Sequence, residues 1–252
     1  MENKIYLIHS GASIADTDPQ QWETLERSTV NPFDAPLSEE GIAQMKKAAS
    51  KIEQLDAIYC SPMTRSIESA LILKQRFDVP VRVEYGLTEA PILSDFTGVV
   101  APQFINGTFV KLVPNHINFK GKSYYTLFDE ALLPKALFAK YPDLDTDYTS
   151  LFLPQQIPFS EDDCAYGNRM IRVMNSLALN GKNVAFIGHK GTVTLAAVYL
   201  RKELQNLSKG EFFSPINSVY FGDYNGMKNG VISSANGLML KFSANEYELL
   251  NQ

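Results

Sequence analysis

The sequence predicts a three-layer α/β domain, with a mostly parallel sheet, helices on both faces and an inserted cap. Three observations carry this. The first 85 residues alternate strand and helix patterns, the signature of βαβ units. The opening strand, Lys4 to Ile8, is apolar throughout rather than alternating, as a strand covered on both faces must be. Residues 90–160 then break the alternation with Pro91, Pro102, Pro114, Pro134, Pro142, Pro154 and Pro158, after which it resumes. At about 150 residues per domain, the 252 residues read as one domain spanning 1–252, with a cap subdomain at 90–160.

The elements follow in order. Lys4 to Ile8 ends in the small polar turn His9-Ser10-Gly11-Ala12-Ser13. Residues 14–36 lack periodicity and read as a surface loop. Ser38 is an N-cap for a helix whose apolar positions Ile42, Met45, Ala49 and Ile52 recur at helical spacing. Asp56 to Cys60 is a second strand. Ser61-Pro62 reads as an N-cap followed by proline at the first helical position, opening a helix that runs to about Phe77. Val79 to Glu84 is a third strand.

Beyond the insertion, a helix is expected over about Glu161 to Leu179. A buried strand follows at Asn183 to Gly188, then a helix from Gly191 to about Leu204. Val219–Gly222, Gly230–Ser233 and Leu238–Phe242 read as short strands parted by the turn signals Asn225-Gly226 and Asn236-Gly237. The stretch 104–159 holds 11 of the chain's 28 aromatic residues. That density implies a small core of its own, with some rings lining a ligand pocket beneath the cap.

Composition narrows the function. A net charge of −5 without a basic run is unsuited to nucleic acid or an anionic membrane. No apolar run has the length of a membrane span, and the N-terminal apolar run is too short for a signal peptide. Cys60 and Cys164 cannot build a disulfide framework, which suits a reducing, cytoplasmic setting. With only His9, His116 and His189 and no Cys pair, no metal site or cofactor is expected.

In an open α/β sheet ligands sit at the C-terminal ends of the strands. The residues expected there are His9, Ser10 and Gly11; Ser61 and Arg65; Thr88 and Glu89; and His189. Two histidines, an arginine and a carboxylate beside helix N-termini point to a phosphate or other anionic small molecule. His116, among Pro114, Asn115 and Asn118, reads as surface.

Five segments carry a family resemblance. Lys4 to Ser13 resembles an apolar strand followed by R-H-G-E-[ST]. Pro36-Leu37-Ser38-Glu39-Glu40-Gly41-Ile42-Ala43-Gln44 resembles P-L-[ST]-x-x-G-x-x-Q. Ile58 to Ala70 resembles I-x-[ST]-S-P-x-x-R-[AS]-x-x-[ST]-A. Leu87-Thr88-Glu89 resembles L-x-E, and Phe186 to Gly191 resembles [VI]-[ST]-H-[GS]-G. In order and spacing these resemble the histidine phosphatase superfamily, the phosphoglycerate mutase-like family. The resemblance implies that fold, a cap between the third strand and the later helix, and metal-independent phosphoryl transfer. The family's first histidine is the nucleophile. Its arginines and second histidine hold the phosphoryl oxygens, and a carboxylate is the general acid.

Aligned on Gly11, the sequence departs from the family pattern at its centre. His9 takes the arginine position, Ser10 the nucleophile position and Ala12 the acidic one, while Arg65, Glu89 and His189 match. Strand alternation would turn His9 away from the phosphate unless the backbone distorts. The residue types Ser10, His189 and Glu89 also match a Ser-His-carboxylate triad. Lys190 is a candidate replacement for the missing cation.

Three functions follow. The first is a pseudoenzyme that binds a phosphate-bearing or anionic ligand through His9, Gly11, Arg65 and His189 without efficient phosphohistidine chemistry. The second is an active phosphomonoesterase using water, Ser10 or His9. The third is a module that binds a protein partner through the cap.

Overall fold

The computed structural model describes residues 4–26, 34–89, 103–105, 108–110, 132–157, 163–178, 180–189, 191–193, 196, 200, 239–243 and 246–249. Strand β1 (Lys4–His9) leads through the short helices α1 (Ile14–Thr17) and α2 (Pro19–Glu26) to α3 (Glu39–Lys51). Then come β2 (Ala57–Cys60), α4 (Thr64–Phe77) and β3 (Val81–Val83). A small hairpin, β4 (Gln103–Ile105) with β5 (Thr108–Val110), and α5 (Pro134–Lys140) lie within the expected insertion. Helix α6 (Asp163–Val173) continues into a π-helical turn at Met174–Ala178. Strand β6 (Val184–Gly188) and the strands β7 (Met239–Ser243) and β8 (Glu246–Leu249) complete the described elements.

The main sheet has the order β3-β2-β6-β1-β7-β8. Its first four strands are parallel; at the far edge β7 pairs antiparallel with β1 and β8 antiparallel with β7. Alternation along β1 feeds two cores. Tyr6 and Ile8 face one side, with Met45 and Ala48 of α3 and Ile67 and Leu73 of α4. Ile5 and Leu7 face the other, with Tyr166, Met170 and Val173 of α6. Helices therefore cover both faces, and the three-layer α/β expectation holds. This layering puts the ends of β1, β2, β3 and β6 side by side. No described helix is long and apolar enough to cross a membrane.

Several local readings are corrected. Residues 14–26 are helical rather than a loop, anchored by Trp22, which is buried. Helix α4 starts at Thr64 with Met63 as its N-cap, so Ser61 is not the cap and Pro62 lies before the helix. The expected strands at 219–222 and 230–233 lie outside the described residues, as does most of the cap, including His116. Within the insertion, Leu132, Leu137, Leu144 and Ile157 are buried in the α3–α4 core, and Tyr148 packs against the opposite one. Residues 132–157 are thus part of the main body's packing, and the described aromatic residues there serve its cores.

Candidate anion site at the strand ends

The turn after β1 is held from three directions. The Ser10 amide donates to Gly188 O (2.9 Å), carrying the β1–β6 pairing one residue past the strand. The Gly11 amide donates to Ser69 Oγ (3.2 Å) on α4, and the Ala12 amide to Gln44 Oε1 (2.9 Å) on α3. Ser38 has two roles. Its Oγ caps α3 by accepting from Gly41 N (3.1 Å), and it donates to Ala12 O (3.0 Å). Gly11 and Gly41 face each other so closely that a Cβ on Gly41 would lie 2.1 Å from Ala12 O. The segment from Leu37 to Gln44 therefore reads physically as a cradle for the His9–Ser13 turn.

Helix α4 brings in Arg65, and its N-terminus is capped from afar. Asp34 accepts from Thr64 N and Thr64 Oγ1, both at 2.6 Å. Burial pushes the Asp34 carboxyl above its ordinary value, against the Thr64 bonds and the nearby Arg65 and Lys140 charges. Lys140 of α5 reaches Thr64 Oγ1 (3.4 Å), and Glu68 accepts from Leu37 N (2.7 Å). Burial raises the Glu68 carboxyl as well. The sequence reading missed Asp34. Its signal was an aspartate two residues before the Pro36-Leu37-Ser38 segment.

His189 stands at the centre, 2% exposed, directly after β6. Its Nε2 lies 2.9 Å from Ser61 Oγ and its Nδ1 3.0 Å from Arg65 Nη2. A guanidinium only donates, so Nδ1 is the acceptor and the ring proton sits on Nε2, donated to Ser61. Burial, then the charges of Arg65, His9 and Arg169, hold the imidazole well below its usual value, so it is neutral. Glu89 Oε2 is 3.9 Å from Nδ1, and Glu89 Oε1 accepts from Gly191 N (3.4 Å).

The expected residues therefore converge. His189, Arg65 and Glu89 meet directly, and His9 is near enough to His189 to oppose its protonation. The β1–β6 register is regular through His9–Gly188. Ser10 is buried on the adjoining turn. Both nitrogens of His189 are engaged by Ser61 and Arg65 rather than by Ser10. Lys190 lies outside the described residues. Among those described, no group of three or more His, Cys, Asp or Glu is placed to hold a metal ion.

Residues 20–98 match the family model of the histidine phosphatase superfamily (branch 1). That span takes in Leu37 to Gln44, Arg65 and Glu89 but neither His9–Gly11 nor His189. The fold is similar to that of ecdysone phosphate phosphatase from Bombyx mori, solved with tungstate. The TM-score is 0.63 at 16% identity, over 99% of this chain and 92% of that one. It is also similar to a candidate alpha-ribazole-5'-P phosphatase from Escherichia coli, with a TM-score of 0.51 at 15% identity, over 100% of this chain and 97% of that one. No curated protein matches the chain. The segment match and the fold likeness both support the histidine phosphatase resemblance, and the fold is that of the phosphoglycerate mutase-like phosphatases.

Proposed function

We propose that this histidine phosphatase-like protein binds a phosphate-bearing or other anionic small molecule at the strand ends, in the cytoplasm, and does not turn it over efficiently through a phosphohistidine. The observation that carries the reading is the Arg65–His189 pair at 3.0 Å beside Glu89 and the Ser10–Gly11 turn. A guanidinium bonded to a neutral imidazole gives up little when an anion replaces it, since charge-assisted bonds to phosphate are the stronger ones. That the Bombyx mori phosphatase holds tungstate supports an oxyanion as the ligand class. In the reading, Gly11, His9, Arg65 and His189 surround the anion. Glu89 stands where a leaving group would be protonated. Ser10 occupies the nucleophile's place without a nitrogen to attack phosphorus.

A second reading, an active phosphomonoesterase, is favoured by one observation: His9 ends β1 paired with Gly188, the residue before His189. Its imidazole offers a nitrogen nucleophile one residue from the family position.

Hydrolysis of an aryl phosphate by the wild type, Ser10→His and His9→Ala separates them. An inert wild type with activity gained in Ser10→His supports the first reading. Wild-type turnover abolished in His9→Ala supports the second. Binding is read independently from the melting temperature with inorganic phosphate, since a ligand of the folded state must raise it by mass action. No rise at millimolar phosphate rejects both readings.

A further inference from the structure

Helix α6 carries a buried arginine that the family pattern gives no role in this chain. Arg169 is 4% exposed, and its Nη1 donates at 2.7 Å to both Gly86 O and Thr88 O. The carbonyl between them is held too. Thr192 Oγ1 donates to Leu87 O (3.0 Å), so it accepts the hydrogen of Tyr166 OH at 2.9 Å. Tyr166 sits one turn before Arg169, with the guanidinium 4.7 Å from its ring centroid. Three consecutive carbonyls immediately before Glu89 are therefore fixed by α6 and by the turn after His189.

From the other side, buried Glu84 accepts from Gly86 N (2.8 Å), Tyr148 OH (2.6 Å), Ser150 Oγ (2.8 Å) and Leu151 N (2.9 Å). Such complete satisfaction of one short segment makes it a rigid mount. What projects from its end is Glu89, whose carboxylate faces both His189 and the Gly191 amide.

We propose that Arg169 is a positioning residue of the anion site. It aims Glu89 by clamping the Gly86 and Thr88 carbonyls, and it keeps its positive charge buried there. The assignment rests on the anion-site reading above, but its central readout requires no ligand. Among the described residues, the charged and titratable groups that act on His189 are Arg65, His9, Arg169 and Glu89. Of the two arginines, Arg169 is the one fixed on the backbone mount, so it remains in place when an anion engages Arg65.

The experiment is an NMR titration of the His189 imidazole in the full chain, for wild type, Arg169→Lys and Arg169→Gln. Lysine keeps the charge and can donate to both carbonyls. Glutamine keeps a donor and removes the charge. The expected result is an upward shift of the His189 midpoint in Arg169→Gln and a midpoint near wild type in Arg169→Lys. Hydrogen exchange over 84–89 should quicken in the glutamine variant and recover in the lysine variant. Should Arg169→Gln not fold, Arg169→Lys is compared with Arg65→Lys. An unchanged His189 midpoint together with slow exchange over 84–89 in the former is then the supporting result. An unmoved midpoint in a folded Arg169→Gln overturns the proposal, whatever the stability loss. Failure of phosphate to raise the melting temperature of the wild type would sink the anion-site reading and leave this titration interpretable.

Discussion

Replacing Gly41 with alanine tests whether the α3 cradle shapes the site. The added Cβ would lie 2.1 Å from Ala12 O, 2.9 Å from Ala12 N and 3.0 Å from Ala12 C. Ordinary contact begins near 3.4 Å, so backbone must retreat by more than an ångström. That carbonyl accepts from Ser38 N (2.9 Å) and Ser38 Oγ (3.0 Å), and both bonds would lengthen. Overpacking of this kind costs about 1–3 kcal/mol, and each weakened hydrogen bond up to about 1 kcal/mol more. Against this, alanine gains less than about 1 kcal/mol of helix propensity over glycine. The net expectation is a loss of roughly 2–4 kcal/mol, a fall in melting temperature on the order of 5–15 °C for a chain of this size.

Thermal unfolding followed by circular dichroism measures that loss. A second reading comes from phosphate: the stabilisation it gives should shrink, because the Ser10–Gly11 turn moves with Ala12. A Gly41→Ala protein that melts at or above the wild-type temperature would refute the reasoning, since propensity would then outweigh the clash.

Four further outcomes follow from the same contacts. Ser61→Ala leaves the Nε2 proton of His189 without its acceptor in a buried place, so stability should fall by about 1–3 kcal/mol in denaturant titrations. Asp34→Asn keeps an acceptor for Thr64 N and lets the Thr64 hydroxyl turn to accept. Because burial raises the Asp34 carboxyl above 3.8, its ionised form costs stability that the wild type recovers as pH falls through the raised value. The asparagine variant should be at least as stable as wild type at neutral pH and lack that recovery. His189 works in the opposite sense. Its depressed value means the unfolded chain binds a proton below about 6.5 that the folded one refuses, so wild-type stability should fall with pH there and His189→Asn should show a shallower limb. Asp78 ends α4 in the left-handed region at φ 46°, and Asp78→Gly should gain about 0.5–1 kcal/mol, read as a higher melting temperature.

Most of the sheet was legible because its strands are short apolar runs flanked by helices with clear stripes. Met45, Ala49 and Ile52 are buried as their spacing implied, while Ile42 of the same expected stripe is exposed. Arg65, Glu89 and His189 were legible because strand ends are where an α/β sheet gathers polar groups. The misread cap has its cause in partners distant in sequence. Ser61-Pro62 has the local form of a cap, yet the Ser61 hydroxyl is taken by His189, 128 residues on, and Asp34, 30 residues back, caps the helix instead. Helix α1 is four residues long, too short for a period, and α2 buries Trp22. Arg169 sits on the stripe formed by Tyr166, Met170 and Val173, where a charge is out of place until the Gly86 and Thr88 carbonyls are seen.

On the proposed reading, the Arg65–His189 contact also couples anion binding to protons. Without a ligand, Arg65 donates to the Nδ1 lone pair and its charge opposes protonation of the ring. An anion that takes the guanidinium frees that lone pair and brings a negative charge beside it, so the His189 value must rise on binding. By linkage the bound state then takes up protons, and affinity should strengthen as pH falls. Sulfate is the probe of choice, because it does not itself titrate near neutrality. Isothermal titration from about pH 8 to about pH 6, in two buffers of different ionisation enthalpy, reads the proton uptake directly. Tighter sulfate binding at the lower pH with uptake of a fraction of a proton is the expected result, and replacing His189 with asparagine should abolish the uptake. Sulfate binding that is equally tight across the range, with no proton exchanged, would mean that Arg65 and His189 stay bonded in the complex. The anion would then sit elsewhere on the strand ends.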